Sequence, residues 1–125
     1  MQGLNEFEQA ALDKLLSGDH PILATLRHQV DHARLTSREN TGAGFYCNFE
    51  VEDDVPAVQG NFQIGDVQAE LEGLREGAGL VLFIRAGRLS MLEGFSYDEP
   101  WPAEIRRFSL RYSDPQRTSQ LAKLG

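Results

Sequence analysis

Apolar positions near the start of the chain recur with a helical period. Leu4, Phe7, Ala11 and Leu15 fall on one stripe with Leu12 and Leu16 beside it, which predicts a helix over Asn5–Leu16. Asn5 stands at the N-cap, Glu8 lies where a capping box needs it, and Gly18 follows the end. A second helix is expected from Pro21 to Val30, with Asp19 as its cap and Ile22, Leu23, Leu26 and Val30 as its apolar stripe.

Beyond His32 the period changes to two. Ala33–Glu39 reads as a polar strand and Thr41-Gly42-Ala43-Gly44 as a turn. Phe45, Cys47, Phe49 and Val51 then alternate with Tyr46, Asn48 and Glu50, the mark of a half-buried strand. After the acidic loop Glu52–Pro56, Asn61–Ile64 predicts a short strand. Val67, Ala69 and Leu71 predict the next, and Phe108, Leu110 and Tyr112 a last one. Asp114-Pro115 is placed to cap a short C-terminal helix carrying Leu121 and Leu124.

The strongest signal is the hairpin within Gly79–Pro102, where two apolar runs, Leu80–Ile84 and Leu89–Tyr97, flank Arg85-Ala86-Gly87-Arg88. A two-residue turn would set Arg85 opposite Arg88, a like-charge pair. We therefore expect a three-residue loop, Arg85–Gly87, with a bulge at Gly87. That register sets Phe83 against Leu89 and Val81 against Met91 on an apolar side assigned to the core. It leaves a second side that is also largely apolar. A second copy, another protein or the C-terminal tail is expected to cover that side.

Helices followed by strands make an α+β layout. The expected architecture is two N-terminal helices on one face of a five- or six-stranded, mostly antiparallel meander. It forms a single domain over 1–125: helical to 32, sheet over 33–112, and a tail or short helix over 113–125.

Composition narrows the setting. Hydrophobic residues make up 41% of the chain and charged residues 25%, as in an ordinary soluble domain. A formal charge of −7 disfavours a nucleic-acid partner and an anionic membrane. The start MQGLNEFEQ lacks a signal-peptide pattern, and the single Cys47 excludes an internal disulfide, so the cytoplasm is the expected compartment.

Candidate chemistry is sparse. His28 and His32 share a helix face without a third ligand, so no metal is assigned. Cys47 alternates in phase with Phe45 and Phe49 and reads as a core residue, not a nucleophile. The glycines of Thr41–Gly44 lack the Lys-Ser/Thr of a phosphate-binding loop. No cofactor and no catalytic residue is assigned. Glu93 shares a side with Met91 and Phe83, where a carboxylate needs a partner or a rim position, and Arg38, Arg107 and Arg111 are the available cations. With Tyr97, Asp98 and Trp101, which is held between Pro100 and Pro102, it forms the candidate ligand site.

Arg38-Glu39-x-Thr41-Gly42-x-Gly44-Phe45-Tyr46, with Leu89-Ser90-Met91-Leu92-Glu93-Gly94-Phe95-x-Tyr97-Asp98-Glu99-x-Trp101-Pro102, resembles short uncharacterised bacterial proteins, a domain of unknown function. The likeness spans roughly residues 20–112. It implies a single-domain bacterial protein and carries over no catalytic residue. The leading functional expectation is a non-enzymatic protein-binding or homodimeric module. The alternatives are a small-ligand binder or enzyme using Glu93, Tyr97, Asp98 and Trp101, and an immunity-type protein masking a basic toxin.

Overall fold

The computed structural model describes residues 1–125. Three helices lie on one face of a six-stranded antiparallel sheet. The strands are β1 (Ala33–Asn40), β2 (Gly44–Val51), β3 (Phe62–Leu71), β4 (Ala78–Arg85), β5 (Arg88–Ser96) and β6 (Phe108–Tyr112). The helices are α1 (Glu6–Leu15), α2 (Pro21–Val30) and α3 (Thr118–Ala122). The α+β class holds, but the order β1-β2-β5-β4-β3-β6 is no simple meander. The β1–β2 hairpin docks on β5, and β6 returns to the far edge beside β3. Asn61–Ile64 and Val67–Leu71, expected as two strands, are one strand bent by a register shift between Ile64 and Val67.

Local signals explain the helix ends. Asn5 Oδ1 accepts from the Glu8 N–H at 2.8 Å, and Glu8 Oε1 accepts from the Asn5 N–H at 3.0 Å, a reciprocal capping box. At α2 the cap is His20, not Asp19. Its Nδ1 accepts from the Ile22 N–H at 3.1 Å, while its Nε2 lies 3.0 Å from the Gly125 carbonyl. The imidazole reaches the second N–H beyond itself and ties the C-terminus to the helix start, which a carboxylate at Asp19 does not. The α1 C-terminus is capped by distant side chains. Tyr112 Oη donates to the Lys14 carbonyl at 2.7 Å, Arg27 donates to those of Leu16 and Gly18, and Arg117 to those of Leu15 and Ser17. Carbonyls that a helix leaves unbonded are thereby satisfied without water.

The hairpin register differs from the expected one and reverses its core side. Arg85 does pair with Arg88, and the turn is the two-residue Ala86-Gly87, both at positive φ (51° and 74°). The like charges separate because each guanidinium has its own site. Arg88 donates to the carbonyls of Glu52, Asp53 and Val55 at 2.8–2.9 Å, and Arg85 lies over the Phe83 ring, 5.3 Å from its centroid. Gly87 is closed in by the 52–61 loop. A Cβ there would stand 1.7 Å from the Val58 carbonyl oxygen, so this position admits only glycine.

The bulge falls instead at Ser90, between the Ile84–Leu89 and Phe83–Met91 pairs. Leu80, Leu82 and Ile84 therefore face the helices, fully buried with Leu89 and Leu92, whereas Val81, Phe83 and Met91 face away. The core joins these strand residues to Phe7, Leu12, Leu15, Leu23 and Leu26 of the helices and to Phe45, Cys47, Ile64 and Val67 of the sheet.

Candidate functional site

The face without helices carries the functional interest. Register places Met91 beside Phe83 and Asn48, and Glu93 between Tyr46 and Val81. Phe95 lies between Gly44 and Gly79. Phe95 lies so flat over Gly79 that a Cβ there would meet its ring at 2.4 Å. The Phe95 ring in turn meets Tyr97 edge-on at 5.6 Å, and Tyr97 Oη donates to Gln68 Oε1 at 2.9 Å. Val81, Phe83, Met91 and Phe95 are half-buried, with the Arg85 guanidinium over Phe83 and Tyr97 edge-on to Phe95, and no helix covers them. Asn48, Gln63, Gln68 and Ser37 surround them, giving an apolar centre broken only by Glu93 and a polar rim.

The C-terminal tail does not cover this face. It packs on the helix side, where Leu124 enters the core and Gln120 bonds to the Gly65 N–H and the Gln63 carbonyl across the bend in β3. One of the expected covers is thereby removed.

The four residues singled out from the sequence are divided between the two sides. Glu93 and Tyr97 lie on the open face, with Tyr97 42% exposed. Asp98 is exposed at the adjoining turn in the left-handed conformation, φ 63°. Trp101 is on the other side, packed against Phe7 and Phe45 at ring separations of 6.1 and 5.5 Å, with its backbone N–H donating to the Gly42 carbonyl at 2.8 Å. It plugs the edge of the core. Its two prolines set that path, but the apolar host was on α1 and β2, out of sight of local sequence.

The same contacts bring the Arg38–Tyr46 and Leu89–Pro102 stretches together. Trp101 and Ser96 donate their N–H groups to Gly42 and Ala43, and Gly44 pairs with Phe95. Glu99 accepts from the N–H groups of Glu76 and Arg75 at 2.9 and 3.1 Å, and these backbone bonds hold its carboxyl below the usual range. The role is to clasp the β3–β4 turn.

None of the three cations expected for Glu93 pairs with it, and Arg111, opposite Gln68 on β6, joins no ion pair. Arg38 points to the helix side and forms a bidentate pair with the buried Glu8; Arg107 reaches Glu72 at 3.9 Å. Neither is available to Glu93. A cleft of about 480 Å³ lies at the Glu8–Arg38 pair, walled by Phe45, Trp101 and Ile105; a larger one of about 710 Å³ runs along the β3–β6 edge. Glu93, Tyr97 and Asp98 line neither.

The His28 and His32 rings are 4.9 Å apart, His28 on the exposed face of α2 and His32 in the turn after it, and no third histidine, cysteine or carboxylate gathers with them. Cys47 is fully buried, and burial, followed by the neighbouring Glu8 carboxylate, pushes its thiol up to about 12. We expect iodoacetamide to leave Cys47 unmodified at neutral pH in the folded chain and to label it fully in denaturant, as read by mass spectrometry. Labelling of the folded chain at the denatured rate would refute a sealed core at β2.

Fold and surface together define a small α+β protein whose sheet is armoured on one side and bare and apolar at the centre of the other. No helix is long and apolar enough to cross a membrane. No protein-family model matches the chain, and no curated protein or solved structure is significantly similar to it.

Proposed function

We propose that this is a non-enzymatic binding protein, acting in the bacterial cytoplasm, whose working surface is the open face of β2, β5, β4 and β3. One observation carries the reading. Val81, Phe83, Met91 and Phe95 form a contiguous apolar centre on a sheet whose three helices all lie on the other side. An antiparallel sheet with a solvated face ordinarily presents polar residues there, and exposed apolar patches rimmed by polar groups mark interaction sites. Phenylalanine and methionine side chains at the centre and amides at the rim match the anatomy of a protein interface. An immunity-type protein is the narrowest form of this reading, since its partner would be basic and the chain carries a formal charge of −7.

The test uses Phe83→Ser with Met91→Ser. Both side chains are only half-buried and outside the core, so the variant is expected to fold with a melting temperature lowered by a few degrees. A protein retained by the immobilised wild-type chain from bacterial extract should be lost with the variant. Identical retention by both would move the function off this face.

A further inference from the structure

Glu93 occupies the middle of the open face, because the strand order puts β5 and β4 at the centre of the sheet. Its lateral neighbours are Tyr46 and Val81, and Met91 and Phe95 flank it along the strand. It is half-buried and joins none of the six ion pairs of the chain. A carboxylate can hold that position while water reaches it. Any partner that covers the apolar centre takes the water away, and an ion so desolvated must be given a counter-charge.

A second copy centred on Glu93 does not supply one. A two-fold axis lying across the strands sets Glu93 against the same residue of the other copy. An axis along the strands sets it over the other copy's Val81, because β5 then faces β4. Both arrangements leave the carboxylate without a counter-charge between two chains of charge −7 each, and the basic side chain beside the apolar patch, Arg85, is already seated over Phe83. A basic protein surface meets both requirements. Its overall charge complements the chain, and one protruding guanidinium or ammonium reaches Glu93 while its stem lies along Met91 and Val81. Tyr46 pairs with Glu93 across the strands and Phe95 follows two residues on, so a seated cation meets an aromatic residue on either side.

We propose that the open face docks a basic partner protein by seating an arginine or lysine side chain on Glu93, within the apolar ring of Val81, Phe83, Met91 and Phe95. This rests on the reading of the open face as the working surface and assigns the chemistry of its occupant.

A displayed random-peptide library selected on the immobilised full-length chain tests it. The peptides recovered are then measured for affinity against the wild type, Glu93→Gln and the control Glu70→Gln, and mapped by amide chemical shifts. The expected result is peptides with an arginine or lysine among apolar residues, shifts centred on β4 and β5, and affinity at least tenfold weaker for Glu93→Gln but unchanged for Glu70→Gln. Peptides that map to the face but lack a basic residue, or bind Glu93→Gln as tightly, overturn the assignment of the occupant and leave the open-face reading standing. A chain that self-associates through this face in light scattering also overturns the basic partner. Peptides that map elsewhere, or an empty selection, sink both.

Discussion

Replacing Arg117 with alanine is expected to lower the unfolding free energy by about 3–5 kcal/mol, the range for breaking one side of a buried ion pair. Arg117 is 6% exposed, and its Nε and Nη2 donate to the two Asp66 oxygens at 2.6 and 2.9 Å. Its remaining donors reach the Ser17 and Leu15 carbonyls at 2.7 and 3.0 Å, and its guanidinium stacks on Tyr112 with 4.3 Å to the ring centroid. One side chain thus joins the end of α1, the bend in β3, β6 and the C-terminal helix.

Truncation leaves the Asp66 carboxylate and the Leu15 and Ser17 carbonyls without these donors, in a place water reaches poorly. Arg117→Lys should recover only part of the loss, because one ammonium cannot span the carboxylate and both carbonyls. Arg117→Met with Asp66→Leu should be less damaging than Arg117→Ala, since it removes the unpaired charge along with its partner. Urea denaturation followed by circular dichroism checks all three. A loss under about 1 kcal/mol for the alanine variant would show that the tail is only loosely attached.

How far this arrangement was readable from the sequence depended on the range of the interaction. The helix starts and strands were accessible because a cap, a stripe or an alternation lies within a few residues. The Asn5–Glu8 box is the clear example. The hairpin register was not, although its residues are adjacent. The Arg85–Arg88 repulsion weighs against a two-residue turn only while both side chains stay over the turn. Arg88 is instead drawn to three carbonyls of the 52–55 segment, more than thirty residues away in the chain. Moving the bulge to Ser90 exchanged the two sides of β4, which is why Leu80, Leu82 and Ile84, and not Val81 and Phe83, fill the core. The candidate site suffered for the same reason. Glu93 was correctly grouped with Met91 and Phe83, but only tertiary pairing decides that their side is the open one, and that Trp101 lies across the sheet from them.

Gln29 shows how firmly that register is held, and Gln29→Leu is expected to cost on the order of 3 kcal/mol. The side chain is fully buried at the end of α2. Nε2 donates to the Pro56 and Gly87 carbonyls at 3.1 and 3.0 Å, and Oε1 accepts from the Leu89 N–H at 3.0 Å. Leucine fills almost the same space but leaves the Leu89 N–H buried and unbonded and strips the Pro56 carbonyl of its donor. The Gly87 carbonyl keeps the Val58 N–H.

Gln29→Glu should be worse at neutral pH. The new carboxylate can still accept from Leu89 but is turned against two carbonyls in a dry site, so burial raises its pKa above the unfolded value. Stability is then retained below the unfolded pKa and lost as pH rises through the folded one, so this variant should be least impaired in acid. Hydrogen exchange separates a general from a local effect. Faster exchange concentrated at residues 84–89 would mean that α2 clamps the turn, and through it decides which side chains of β4 and β5 reach the open face. Unchanged protection there, alongside a global loss, would mean that Ala86 and Gly87 hold the register unaided and that Gln29 serves only the packing of the helix.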